Sequence, residues 1–161
     1  MAGINLTDIV MNNGKTVRQN LELEINRLRD CIQEKLDDYM SLNKPSMYIR
    51  TGSLQNSIKV DLDIINVYDN VFQMAVVFDE SGYHESGDGI DGWDGNGQKV
   101  NTAYLFNYGY IVKKDVWFKK IKNFGWRSPA RFIEDGIEEF NKNNLLDIVI
   151  EIVDPNGDLA K

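Results

Sequence analysis

The spacing of apolar residues predicts one long helix in the first quarter of the chain. From Thr16 to Tyr39 the apolar positions are three or four residues apart, and charged or amide residues lie between them. This period keeps the apolar side chains on one helix face for about six turns. The positions are Val17, Leu21, Ile25, Leu28, Ile32, Leu36 and Tyr39. Thr16, directly before the first of them, is predicted to cap the helix.

The period changes to two after Ser57, which predicts a β-hairpin. Apolar and polar residues alternate from Ile58 to Ile64, and Asp69 and Asn70 then supply turn residues. A second run from Val71 to Phe78 follows. Two such runs around a short turn are typical of antiparallel strands. Because the long helix must cover its apolar face, we expect it to lie on this sheet.

The last third of the chain predicts a second helix and a third strand. The helix is expected from about Pro129 to Asn143, and the strand from Leu145 to Val153. The inner stripe of this helix would be Phe132, Ile133, Ile137 and Phe140. The fold class is therefore α+β: an antiparallel sheet with both helices packed on one face. We expect one domain over 1–161, with an N-terminal arm (1–15), a long, exposed and flexible acidic Gly-rich loop (79–99) and a tail (154–161).

Composition narrows the class of protein. A chain of 161 residues with 42% hydrophobic and 27% charged residues is typical of one globular domain. The net charge of −7 argues against free binding to nucleic acid, which depends on cations that neutralise phosphates. Cys31 is the only cysteine, so an intrachain disulfide and a thiolate metal cage are both excluded. We expect synthesis in the cytoplasm, with neither a signal peptide nor a membrane span.

Candidate chemistry is sparse, and we expect no enzyme activity and no cofactor. His84 is the only histidine, and it falls in the acidic loop, where a catalytic base would be poorly fixed. The run from Gly87 to Gly92 matches a dinucleotide fingerprint, but the residues after it cannot begin a helix. An alternative function is a calcium- or ligand-binding module in the loop, because its acidic and amide side chains are hard oxygen ligands. Those ligands would be Asp88, Asp91, Asp94 and Asn96.

Two segments of opposite charge are the clearest candidate interaction surfaces. The acidic loop has six negative residues from Asp79 to Asp94, without Lys or Arg. The basic segment comprises Lys113, Lys114, Lys119, Lys120, Lys122, Arg127 and Arg131, with Trp and Phe residues between them. Such a segment could stack on bases and contact phosphates, or dock on an acidic neighbour. We favour docking, because two complementary surfaces on one chain join identical copies head to tail, and a ring results when the rotation closes.

Three short motifs resemble the bacteriophage neck and tail-completion family, which joins the head to the tail. Residues 50–58, Arg-Thr-Gly-Ser-Leu-Gln-Asn-Ser-Ile, are similar to its R-T-G-x-L-x-x-S-I signature. Residues 103–109, Ala-Tyr-Leu-Phe-Asn-Tyr-Gly, resemble its aromatic strand, and residues 128–133, Ser-Pro-Ala-Arg-Phe-Ile, resemble the entry into its last helix. Their order also agrees, and the resemblance covers about residues 16–140.

The resemblance implies a structural virion protein of the neck. It would form a homo-oligomeric ring, sixfold by analogy, between the portal or connector and the tail tube, with passive DNA contact in the lumen. Arg50 could pair with a carboxylate of its own or of a neighbouring subunit. The interface candidates are Arg50, Asp88, Asp91, Asp94, Lys113, Lys114, Lys119, Lys120, Arg127 and Arg131.

Overall fold

The computed structural model describes residues 6–42, 53–68, 71–79, 83–85, 99–112, 125–144, 146 and 148–152. The helices are α1 (Val17–Leu42), α2 (Ser53–Asn56), α3 (Thr102–Tyr108) and α4 (Phe132–Asn141). The strands are β1 (Ile58–Tyr68), β2 (Val71–Phe78), β3 (Tyr83–Glu85), β4 (Lys99–Asn101), β5 (Tyr110–Val112) and β6 (Gly125–Arg127). A 3₁₀ turn, Leu6–Asp8, precedes α1. The turn at Asp69–Asn70 and the tail 154–161 lie outside the described residues.

The long helix is confirmed, and Thr16 caps it. The Thr16 Oγ1 accepts a hydrogen bond from the Gln19 N–H at 3.2 Å, and the Gln19 Oε1 accepts one from the Thr16 N–H at 2.9 Å. This reciprocal pair satisfies two backbone donors that have no partner within the helix. Leu28, Ile32 and Leu36 from the predicted stripe are buried.

The predicted hairpin is also confirmed. β1 and β2 pair antiparallel, from Ile58 opposite Phe78 to Tyr68 opposite Val71. Ile58 is buried and Phe78 packs against the core, whereas Lys59 and its partner Val77 are exposed. The hairpin therefore has one face on the core and one face outward, as the alternation requires.

Helix α4 lies antiparallel to α1 at very close range. A Cβ built on Gly136 would lie 2.7 Å from the Cα of Ile32, so only glycine fits this crossing. At the C-terminal end of α4 the Arg27 guanidinium donates to the carbonyl oxygens of Phe140 (3.0 Å) and Asn143 (3.1 Å). The same guanidinium lies 3.9 Å from the centroid of the Phe140 ring. Arg27 therefore satisfies carbonyls at the end of α4 and binds the two helices together.

One core joins these elements into a small α+β domain. Its buried side chains are Leu28, Ile32, Leu36, Leu54, Ile58, Ala103, Phe132 and Phe140. They come from all four helices and from β1, and the Phe78 and Phe132 rings meet edge-on at 6.0 Å. Over the described residues, no helix has the combined length and apolarity that crossing a bilayer requires.

Two local predictions were wrong. The aromatic stretch from Ala103 is the helix α3 rather than a strand, and its inward residues Ala103, Phe106 and Asn107 have helical spacing. The segment predicted as a third strand forms no ladder at residues 146 and 148–152. There the Asn144 side chain, rather than a strand, hydrogen-bonds both the N–H and the C=O of Ile148.

The segment predicted as a loop over 79–99 contains the short strand β3 and the first residue of β4. Residues 83–85 and 99–101 pair as β3 and β4, so His84 is in a strand opposite Val100. The short alternation Tyr83-His84-Glu85 is too brief to separate from a loop by pattern alone. Residues 86–98 lie outside the described residues.

Candidate functional site

Most of the predicted interface residues lie outside the described part of the chain. These are Arg50, Asp88, Asp91, Asp94, Lys113, Lys114, Lys119 and Lys120. Arg127 is the last residue of β6. Arg131 is exposed directly before α4, in a left-handed conformation with a φ of 55°. The structure therefore describes the framework around the two charged segments.

A short antiparallel ladder encloses the central part of each charged segment. Strands β3 and β4 enclose residues 86–98, which include the three predicted interface aspartates. Strands β5 and β6 enclose residues 113–124, which include the four predicted interface lysines. Helix α3 connects β4 to β5, and Gly109 between α3 and β5 has a φ of 88°, which glycine adopts without strain. The seven residues of α3 therefore link the β3–β4 ladder to the β5–β6 ladder.

Asn107 fixes α3 to the start of α4. Its side chain is fully buried. The Oδ1 accepts from the Ile133 N–H at 2.9 Å, and the Nδ2 donates to the Glu134 Oε2 at 2.8 Å. The Arg131 N–H donates to the Asn107 carbonyl at 3.2 Å. No side chain at Arg131 caps α4, so Asn107 supplies that cap from a distant part of the sequence.

Two tyrosines of α3 extend this junction. The Tyr104 and Tyr108 rings lie 4.7 Å apart between centroids. Burial, followed by the negative charge of Glu134 and its hydrogen bond, raises the pKa of Tyr108 from 10.0 to about 12. The Tyr108 hydroxyl consequently stays protonated and bonded to Glu134 at neutral pH.

The three motifs that carry the family resemblance meet in this part of the core. Leu54 and Ile58 from the first motif, Ala103 from the second and Phe132 from the third belong to one buried cluster. Within the first motif, the fully buried Ser57 donates from its Oγ to the Leu54 carbonyl at 2.7 Å. Motifs far apart in the sequence therefore share one structural task, which is to join β1, α3 and α4.

Two groups of side chains in the described residues were candidates for chemistry: clusters that could bind a metal ion, and the thiol of Cys31. No group of three or more His, Cys, Asp or Glu side chains there could hold a metal ion. Burial raises the pKa of the half-buried Cys31 thiol, which disfavours the reactive thiolate form. The candidate calcium ligands Asp88, Asp91, Asp94 and Asn96 lie outside the described residues.

Sequence reasoning missed Asn107 and Gly136, which hold the junction and the helix crossing. Asn107 follows Ala103 by four residues in an apolar stretch. In a helix this spacing places both residues on the same face, so the pattern indicates that Asn107 is buried. Gly136 is an isolated glycine inside a helical pattern, which indicates close packing.

Comparison of the chain with protein-family models, with curated proteins and with solved structures found no match.

Proposed function

We propose that this chain is a structural subunit of a phage head–tail connector. Identical copies would form a ring, sixfold as the resemblance implies, that joins the portal or connector to the tail tube and leaves a lumen for DNA. The observation that carries the proposal is the convergence of the three family-like motifs in one buried cluster.

The arrangement of charge supports assembly from identical copies. The acidic residues of segment 86–98 and the basic residues of segment 113–124 follow from the sequence, and each segment has a paired β-ladder at its base. Both ladders adjoin α3, whose Asn107 is anchored to α4 through three hydrogen bonds. Two segments of opposite charge, each enclosed by a paired ladder next to the same helix, would suit head-to-tail docking between copies.

The function is geometric rather than chemical. The side chains that the structure places at the junction hold helices and strands together, and the net charge of −7 gives DNA no general attraction to the subunit. A negative net charge helps DNA to pass through the lumen, because a strongly cationic wall would bind the DNA and retain it.

Light scattering and native mass spectrometry of the purified chain test the proposal. They should be run on the chain alone and after mixing with the portal and tail-tube proteins of the same virus. We expect one defined oligomer, either in the chain alone or after the portal and tail-tube proteins are added. A chain that stays monomeric at high concentration with both partners present would contradict the proposal.

A charge reversal tests the docking of the two hairpins. Lys119→Glu combined with Lys120→Glu should weaken assembly, whereas Lys15→Glu, at an exposed position of the N-terminal arm, should leave it unchanged. Equal assembly of both variants would show that the basic segment does not contribute.

Calcium titration separates the proposal from the ligand-binding alternative. A connector subunit gives no saturable heat with calcium. A saturable heat that disappears in Asp91→Ala and Asp94→Ala would favour a calcium-binding module in its place.

A further inference from the structure

The C-terminal segment 148–152 is placed like a strand but pairs with no strand. Ile148 and Ile150 pack against the core, while Val149 is 83% exposed and Glu151 is also exposed. Side chains that alternate between core and solvent are the mark of extended backbone at a sheet edge. The sequence predicted a strand here, and the side chains follow that prediction although the ladder is absent from the described residues.

The backbone of this segment has an open edge. Ile148 uses its N–H and C=O on the Asn144 side chain, at 3.1 Å and 2.9 Å. Within the described part of the chain, residues 149–152 form no backbone hydrogen bond. In an extended strand, the N–H and C=O groups of every second residue point to the same side. The backbone groups of Ile150 and Ile152 therefore point to the same side as those of Ile148, which bond to the Asn144 side chain. Unpaired N–H and C=O groups in a row are a template for another strand.

Strand β1 offers a matching edge. The Asp79 N–H donates to the Ser57 carbonyl at 2.8 Å, which makes these two residues a hydrogen-bonded pair. Bonded and non-bonded pairs alternate along an antiparallel ladder, so Ile58 and Val60 point their N–H and C=O groups away from β2. Among the described strands β1 pairs with β2 alone, and this outward edge has no partner.

The two edges match in charge when they are aligned antiparallel. With Val60 opposite Ile150 as a hydrogen-bonded pair, Lys59 faces Glu151 and Asp61 faces Val149. Lys59 and Glu151 are both exposed, and neither forms an ion pair with a described residue. The ladder would end before Ile148, because the backbone of that residue is already bonded to Asn144.

Within one chain the segment lies beside β2. Ile148 and Val149 line a cleft of about 110 Å³ together with Phe72, Gln73 and Met74 of β2. The open edge of β1 faces away from β2. The β1 of another copy is therefore the partner that we consider for the segment.

We propose that the C-terminal segment of one copy adds as an antiparallel strand to β1 of the next copy. This rests on the proposed function, which makes identical subunits neighbours. The contact joins two different surfaces, so it is heterologous and generates a ring when the rotation closes. It would cover Val149, Ile152 and the edge of β1, and would extend one sheet across the subunit boundary.

Disulfide trapping tests the contact directly. In a Cys31→Ala background, a Lys59→Cys population is mixed with a Glu151→Cys population and oxidised mildly. Residues that face each other across non-hydrogen-bonded antiparallel positions have Cβ atoms about 4.5–5.5 Å apart, close to the separation that a disulfide requires. We expect cross-linked dimers at roughly tenfold the yield of a control mixture of Lys15→Cys with Glu151→Cys, and a ladder of oligomers when both cysteines are on one chain.

The outcomes separate this inference from the proposed function. Rings that form without specific cross-linking would overturn the inference and leave the connector proposal standing. Specific cross-linking in open filaments would support the contact and contradict the ring. Failure of both, with portal and tail-tube proteins present, would overturn both.

Charge exchange gives an independent readout in the otherwise unmodified protein. Lys59→Glu and Glu151→Lys should each weaken self-association about fivefold, because like charges then face each other across the strands. The double exchange restores the opposite pair and should return the affinity to near that of the unmodified protein. Absence of rescue would overturn the predicted register.

Discussion

Gly136→Ala is expected to destabilise the domain although alanine is the better helix former. In an exposed helix this change gains about 1 kcal/mol. At this crossing the new Cβ would lie 2.7 Å from the Cα and 2.8 Å from the Cγ1 of Ile32. The Cα belongs to the α1 backbone, so no side-chain rotation relieves the contact and the two helices must separate. Overpacking of this kind costs about 3 kcal/mol at its upper end, which leaves a net loss of about 2 kcal/mol.

Urea unfolding followed by circular dichroism measures this loss, and thermal unfolding should show a fall in Tm of about 4–8 °C. Glu138→Ala is the matched control, because it makes a change to alanine two residues away at an exposed position of the same helix. That control should stay within about 0.5 kcal/mol of the unmodified protein. A Gly136→Ala variant that is more stable by about 1 kcal/mol would refute the close crossing of α1 and α4.

Three further changes probe the contacts that hold the helices. Arg27→Lys should lower the free energy of unfolding in urea by about 2 kcal/mol. Lysine cannot bond the Phe140 and Asn143 carbonyls and also stack on the Phe140 ring. An unchanged urea midpoint would contradict this. Asn107→Ala should cost about 2–3 kcal/mol, because a backbone donor of α4 and the Glu134 carboxylate lose their buried partner. Burial and Glu134 raise the pKa of Tyr108 from 10.0 to about 12, so its contribution to stability is fully present below pH 10 and is lost as the pH rises to 12. Tyr108→Phe should remove much of that fall in unfolding free energy, and an identical pH profile would disprove the assignment.

The elements with long, regular periods could be predicted from the sequence. The seven-member stripe of α1 and the alternation of β1 and β2 specify which faces are apolar, and one sheet face with one helix face leaves little choice of packing. Thr16 was predictable as a cap because its role depends on Gln19, only three residues away.

The elements that depend on distant partners could not be predicted. Helix α3 has seven residues, three of them aromatic, and such a short run is compatible with either a strand or a helix until Asn107 meets Ile133. The segment after Asn144 has the pattern of a strand, but a ladder needs a neighbour, and the described part of one chain supplies none. Of the predicted site, the charged residues follow from the sequence, while the pairing of β3 with β4 and of β5 with β6 required the structure.

The connector proposal is tested by a three-dimensional reconstruction of the head–tail junction of a virus particle that contains this chain. We predict several copies of this domain arranged around the tail axis, each in contact with the next and with a central channel between them. Density for the domain as a single isolated copy, or no density for it at the junction, would contradict the account.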